Sequence, residues 1–160
     1  MQETPVANAA GGSDPSQPGG AAATPSLIAA VIRPGPWLRV GAGALGIVLV
    51  VTMFWLGSKP GASNFIPTPP WDRLLHFVVY GGYATLGWIA SGGRWLPGVL
   101  AAVAIGLADE GLQSLAPGRT ADWTDIAADI AGALVAVWVM GALRRRFGRG
   151  ANDDSRGPRA

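Results

Sequence analysis

Uncharged apolar stretches recur along the middle of the chain. Nineteen residues without formal charge lie between Arg39 and Lys59. Another twenty lie between Arg73 and Arg94, when His76 is counted as neutral. A helix rises about 1.5 Å per residue, so each stretch is long enough to cross a hydrocarbon core of roughly 30 Å. The pattern therefore predicts two transmembrane helices.

The third and fourth apolar stretches are shorter. Fourteen residues separate Arg94 from Asp109, and fourteen separate Asp129 from Arg144. Because fourteen residues make only about 21 Å of helix, either these stretches do not span or they carry acidic residues to the membrane margin. We favour the second interpretation, since glycine and alanine recur at the spacing of packed membrane helices. The acids carried to the margin are Asp109, Glu110, Asp125 and Asp129.

Composition supports a membrane protein with polar ends. The chain is 49% hydrophobic and only 14% charged, against about 25% charged in typical soluble domains. The first 26 residues are rich in Ala, Gly, Pro and Ser, a composition typical of disorder. We predict an all-α, integral membrane four-helix bundle. Its parts are a disordered cytoplasmic tail at 1–35, a transmembrane domain at 36–143 and a basic cytoplasmic tail at 144–160.

The distribution of Lys and Arg predicts the orientation. Four spans place both termini on one side, with nine of the twelve basic residues, and leave Lys59, Arg73 and Arg119 on the other. The positive-inside rule then makes both termini cytoplasmic in a multi-pass protein of the cell (cytoplasmic) membrane. The basic tail is expected to touch anionic membrane lipid, and no nucleic-acid partner is expected. The sequence does not indicate an oligomeric state.

With this topology, polar side chains gather at the outer ends of the helices. Residues spaced by three or four share one helix face, which groups Asp72 with His76 and Tyr80, and Glu110 with Gln113. Carboxylates crowded at a membrane margin cannot all stay ionised and unpaired, so some are protonated, paired with a base or bound to a cation. The candidate ligand-pocket residues are Asp72, His76, Tyr80, Glu110, Gln113, Arg119, Asp122, Asp125 and Asp129.

Structural roles compete with functional ones at these positions. His76 is either a structural histidine bonded to Asp72 one turn earlier or an acid-base group. Asp122 and Asp125 are candidates for capping a helix, and Arg119 for an ion pair across a turn. With one histidine and no cysteine, a zinc site is not expected, and carboxylates suit Ca²⁺ or Mg²⁺ better. We predict no metal and no cofactor.

Two stretches resemble a known family. WDRLLHFVVYGGYATLG at 71–87 and ADEGLQSLAPGRTADWTDIAADIAGALVA at 108–136 are similar to VanZ-like membrane proteins, named for a factor in resistance to the glycopeptide teicoplanin. The resemblance covers about residues 37–143, and Asp129 stands where the family usually has Asn. The matching motif residues are Asp72, Arg73, His76, Phe77, Tyr80, Glu110, Gln113, Pro117, Gly118, Arg119, Asp122, Asp125 and Gly132.

The resemblance implies a cell-envelope protein, linked in some relatives to lowered binding of glycopeptide antibiotics at the cell surface. It implies no catalytic reaction. Three hypotheses follow. We favour an outward polar pocket that binds an envelope lipid headgroup or a peptidoglycan-related ligand. The alternatives are a membrane enzyme performing acid-base chemistry on a lipid-linked intermediate, and a structural subunit of an envelope complex.

Overall fold

A computed structural model describes residues 27–59, 68, 70–115 and 122–147. This part of the chain is helical apart from short turns and contains no strand, so the all-α prediction is confirmed. Four long helices follow one short one. They are α1 (Leu27–Ile32), α2 (Pro36–Gly57), α3 (Trp71–Ala90), α4 (Trp95–Ser114) and α5 (Trp123–Phe147).

Three of the described helices, α2, α4 and α5, are long and apolar enough to cross a membrane. Helix α3 has 20 residues, but its first two turns carry Asp72, Arg73 and His76. Helix α4 continues without a break through Asp109 and on to Ser114, which gives it 20 residues, or about 30 Å. Helix α5 likewise has 25 residues. Both helices are therefore long enough to span a membrane if their acidic residues lie at its margin.

Helix α3 lies at the centre of the bundle and packs against α2, α4 and α5. Glycines permit the closest approaches. A Cβ added at Gly98 of α4 would lie 2.5 Å from the carbonyl oxygen of Ala84 on α3, and one added at Gly81 would lie 3.1 Å from the carbonyl oxygen of Gly132 on α5. Small residues at a membrane helix interface let the backbones pack in this way.

Large apolar side chains cover the outside of the bundle. Trp37, Val40, Ile47, Val78 and Trp138 are among many that are well exposed. An apolar surface of this extent on a helical protein is the surface expected to face lipid. The interior is built instead from small and aromatic residues, including Tyr80, Tyr83, Ala84, Trp88, Ala102 and Ala133.

The chain before α2 differs from the expected disorder at 1–35. Residues 27–32 form α1, and the Ile32 side chain is only 2% exposed. Helix α1 packs against α5. Val31 and Ile32 contribute to the apolar core, whereas Leu27 and Ile28 stay exposed. The predicted disorder at 1–26 falls outside the described residues.

Basic residues from two helices hold the turn between α3 and α4. Arg39 Nε donates a hydrogen bond to the carbonyl oxygen of Ala90 at 3.2 Å, and Arg144 Nη1 donates one to that of Gly93 at 3.0 Å. Gly93 has a φ of +87°, a conformation that glycine adopts without strain. Helix α5 extends to Phe147, so the first residues of the expected basic tail are helical, and residues 148–160 lie outside the described part.

Candidate functional site

The N-terminal ends of α3 and α5 meet the C-terminal half of α4 at the end of the bundle opposite Arg39 and Arg144. Helix periodicity turns the polar residues of all three helices toward each other there. Seven side chains, which we call the acidic site, gather at this end. They are His76, Tyr80, Asp109, Glu110, Gln113, Asp125 and Asp129.

His76 binds an aspartate on another helix. Its Nδ1 lies 2.9 Å from Asp129 Oδ1, and its Nε2 lies 4.0 Å from Asp125 Oδ2. The structural alternative that paired His76 with Asp72 is therefore wrong, because Asp72 Oδ1 instead accepts a hydrogen bond of 2.7 Å from the backbone N–H of Arg73. The His76–Asp129 pair joins α3 to α5.

Asp129 fits into the bundle because α4 has a glycine opposite it. The side chain of Asp129 is almost fully buried, with 1% of the residue exposed. A Cβ added at Gly106 would lie 2.5 Å from Asp129 Oδ2 and 3.3 Å from its Cγ. The absence of a side chain at Gly106 therefore makes the space for this carboxylate.

Asp109 belongs to the acidic site, although it was not among the predicted pocket residues. Its Oδ2 accepts a hydrogen bond of 3.2 Å from the Tyr80 hydroxyl and one of 2.9 Å from Gln113 Nε2. The Tyr80 ring also stacks on the His76 imidazole at 5.6 Å between centroids. The i, i+4 spacing of Asp109 and Gln113 was the available sequence signal, whereas the prediction grouped Gln113 with Glu110.

Glu110 links α4 to the start of α5. Its Oε2 accepts a hydrogen bond of 2.9 Å from the backbone N–H of Asp122, and the residue is 3% exposed. Asp122 itself caps α5, since its Oδ1 accepts bonds from the Thr124 backbone N–H at 2.8 Å and from the Thr124 hydroxyl at 2.7 Å. These two hydrogen bonds lower the pKa of the Asp122 carboxyl.

Asp122 lies at the edge of the acidic site rather than inside it. Arg73 Nη2 is 3.8 Å from Asp122 Oδ2, and Arg73 Nε donates to the Thr124 hydroxyl at 2.9 Å. Asp125, one turn further along, is buried. The capping alternative therefore applies to Asp122, while Asp125 faces the histidine. Arg119 lies outside the described residues, so its place at the site stays a prediction.

Three carboxylate oxygens of the acidic site are buried without a hydrogen-bond partner among the described residues. They are Glu110 Oε1, Asp125 Oδ1 and Asp129 Oδ2. An ionised carboxylate only accepts hydrogen bonds, and leaving a buried acceptor unpaired costs about 1–3 kcal/mol. The described part of the site is therefore short of donors or positive charge.

One subset of these residues has the spacing of metal ligands. A ring nitrogen of His76 and one carboxylate oxygen each from Asp109 and Glu110 all lie within 4.8 Å of one another. Imidazole nitrogen and carboxylate oxygen are both common ligands of divalent ions. The absence of a metal, expected from the sequence, stays a prediction.

Comparisons with known proteins identify the family of this chain. The comparisons with curated proteins and with solved structures give no match. The family model described as VanZ/LLP1 matches residues 47–144, which is more than half of the chain and runs from within α2 to within the last turns of α5. Every residue of the acidic site falls inside the matched range. This chain of apolar helices around a buried acidic site therefore belongs to the VanZ/LLP1 family.

Proposed function

We propose that this membrane protein acts in the cell envelope by binding, at the acidic site, a polar group of an envelope lipid or of a peptidoglycan-related molecule. Binding there modulates the susceptibility of the cell to glycopeptide antibiotics. Membership of the VanZ/LLP1 family supports the envelope setting. The buried and unpartnered carboxylate oxygens support a binding site as the means of action.

The unpartnered oxygens carry the proposal. Glu110 Oε1, Asp125 Oδ1 and Asp129 Oδ2 come from two helices, and none of them has a donor among the residues that the structure describes. Hydroxyl and amino groups are the donors that lipid headgroups and peptidoglycan precursors present. A ligand that supplies them removes the desolvation cost of the unpaired oxygens, and this favours binding over the empty site.

The orientation of the bundle supports access from outside the cell. Arg39 and Arg144 lie at one end of the described helices, and the acidic site lies at the other. The positive-inside rule assigns the arginine-rich end to the cytoplasm. The acidic site then faces the outer side of the membrane, where glycopeptides meet their target.

An enzyme is the second candidate, and the His76–Asp129 pair favours it. A carboxylate that accepts from Nδ1 orients an imidazole and leaves Nε2 available as an acid or base. The substrate would be a lipid-linked envelope intermediate that binds beside Asp125. Turnover of such an intermediate by the purified protein, lost in His76→Gln, would select this candidate over simple binding.

The proposal is tested in cells that express the protein and are assayed for teicoplanin susceptibility. Glu110→Gln and Asp125→Asn keep the size of each side chain and remove its charge. We expect both variants to lose the effect on susceptibility while accumulating in the membrane like wild type. The charge-matched control is Asp153→Asn, which removes a carboxylate outside the family match and should keep the effect.

Two other outcomes carry different conclusions. If both site variants keep the full effect, the acidic site does not serve the function. If both variants fail to accumulate in the membrane, the site stabilises the fold, and the structural-subunit hypothesis replaces the binding one. Cysteine introduced at Thr68 or Phe147 of this cysteine-free chain tests the orientation, because only the former should react with an impermeant thiol reagent.

A further inference from the structure

We infer that the acidic site holds one divalent metal ion, bound by His76, Asp109 and Glu110 and positioned through Asp129. This rests on the proposed function, because the ion occupies the site to which the envelope ligand is assigned. The ion supplies positive charge to carboxylate oxygens that have no partner among the described residues. It also gives an incoming phosphate, hydroxyl or carbonyl oxygen a ligand position that carboxylates alone cannot offer.

The spacing of the donor atoms fits a metal after a small contraction. The three atoms from His76, Asp109 and Glu110 lie within 4.8 Å of one another. Metal–ligand distances of 2.0–2.2 Å place tetrahedral donors about 3.4 Å apart, so the donors close by at most about 1.4 Å. Glu110 offers Oε1 to the ion, because this oxygen has no partner among the described residues while Oε2 accepts from the backbone N–H of Asp122.

Asp129 is placed to orient His76 as a metal ligand. Its Oδ1 lies 2.9 Å from His76 Nδ1, so the ring N–H donates to the carboxylate and the lone pair lies on Nε2. Histidine ligands of metals almost always donate their other ring N–H in this way. Asp125 Oδ2 is 4.0 Å from Nε2, so a further carboxylate oxygen lies near that nitrogen.

Burial and charge supply an independent reason for the ion. Glu110 is only 3% exposed, and its Oε1 has no partner among the described residues. Four carboxylates, from Asp109, Glu110, Asp125 and Asp129, surround one imidazole. Buried charges are expensive unless paired, and a dication offsets two of the four.

The ligand types indicate which ion. One imidazole with carboxylates is a mixed nitrogen and oxygen set, which suits Mn²⁺ and, among softer ions, Zn²⁺. The sequence argument against zinc counted one histidine and no cysteine. It did not include the packing of α3 against α4, which brings His76 close to Asp109 and Glu110. Mn²⁺ is the probe of choice because its paramagnetism allows bound and free ion to be distinguished.

The test is a Mn²⁺ titration of the purified full-length protein in detergent, followed by electron paramagnetic resonance. We expect one bound Mn²⁺ per chain, displaced by Zn²⁺. Asp109→Asn and Glu110→Gln should abolish binding. Asp129→Asn should weaken it by about 10–100-fold, as for other residues that orient a ligand. The control Asp153→Asn should bind as wild type does.

Each outcome separates the metal site from the proposed function. Wild-type protein that is monodisperse and helical but binds no Mn²⁺ or Zn²⁺ overturns the inference, whatever the variants do. Binding that survives in Glu110→Gln as well as in the control also overturns it, because the ion then lies elsewhere. If Glu110→Gln abolishes the effect on susceptibility while wild type binds no metal, the proposed function is supported and the metal site is ruled out.

Discussion

Replacement of Gly132 by alanine tests whether the close contact of α3 and α5 holds the acidic site together. A Cβ at Gly132 would overlap the backbone carbonyl oxygen of Phe77 and would lie 2.8 Å from its carbonyl carbon and 3.0 Å from its Cα. All three atoms belong to the backbone of α3, so no side-chain rotation relieves the clash. The helices must separate just where His76, one residue before Phe77, reaches Asp129.

The size of the effect follows from two opposing contributions. The backbone of Phe77 must move by at least about 0.6 Å, the shift that brings its carbonyl carbon to an ordinary contact near 3.4 Å, and overpacking of this kind costs about 1–3 kcal/mol. Alanine stabilises a helix over glycine by about 1 kcal/mol. We therefore expect Gly132→Ala to lower stability by up to about 2 kcal/mol. Gly82→Ala on α3, where no atom lies within 4 Å of the added Cβ, should raise it by up to about 1 kcal/mol.

Thermal unfolding in detergent, followed by circular dichroism, measures both variants against wild type. A change of 1 kcal/mol corresponds to about 2–4 °C in a protein of this size, so the two variants should differ by several degrees with wild type between them. Gly132→Ala should also weaken the binding of Mn²⁺, while Gly82→Ala leaves it unchanged. A Gly132→Ala protein at least as stable as Gly82→Ala would refute the packing argument.

Two further variants test one hydrogen bond and one ionised carboxylate. Tyr80→Phe removes the donor to Asp109 and should lower stability by about 0.5–1.5 kcal/mol in the same unfolding assay; an unchanged melting temperature would show that the bond contributes nothing. Asp122→Asn tests a pH dependence. Because bonds from Thr124 hold the pKa of Asp122 below its ordinary 3.8, its ionised form stabilises the fold above that pH, and the contribution is lost as pH falls through the folded pKa. Wild type should exceed the variant in melting temperature at about pH 7 and match it once Asp122 is protonated; a difference that persists in acid would contradict the assignment.

Spacing within a helix was enough to predict which residues share a face. Gly98, Ala102, Gly106 and Glu110 follow one another by fours, and all four are buried along one side of α4. Helix geometry makes this prediction dependable, because residues four apart lie almost above one another whatever the helix packs against. The same reasoning grouped His76 with Tyr80, whose rings stack in the structure.

Partners on different helices could not be predicted in this way. His76 binds Asp129, which is 53 residues away, rather than the aspartate one turn before it. The choice depends on the rotation and depth of α5 against α3, and these are set by the backbone contact at Gly132. Asp109 was missed for a related reason. Two adjacent acids on a helix point about 100° apart, and only the positions of α3 and α5 show that both reach the site.

The structure gives a role to Asp129, which stands where the VanZ-like family usually has asparagine. Asp129 is the residue whose Oδ1 accepts from His76 Nδ1, while its Oδ2 has no partner among the described residues. An asparagine there would keep an acceptor for the imidazole and place a donor at the second atom. The carboxylate of this chain instead adds a negative charge, which increases the demand for a cation.

His76 is the single histidine of the 160 residues, and it contacts Asp129 and Tyr80 in the acidic site. Its imidazole is therefore a spectroscopic reporter without background. Nitrogen-15 labelling of histidine alone gives one pair of ring resonances, whose shifts distinguish the two neutral tautomers from the charged ring and from a metal-bound nitrogen. One sample thus reports the tautomer, the ionisation and the occupancy of the site in a lipid bilayer, with every other residue silent.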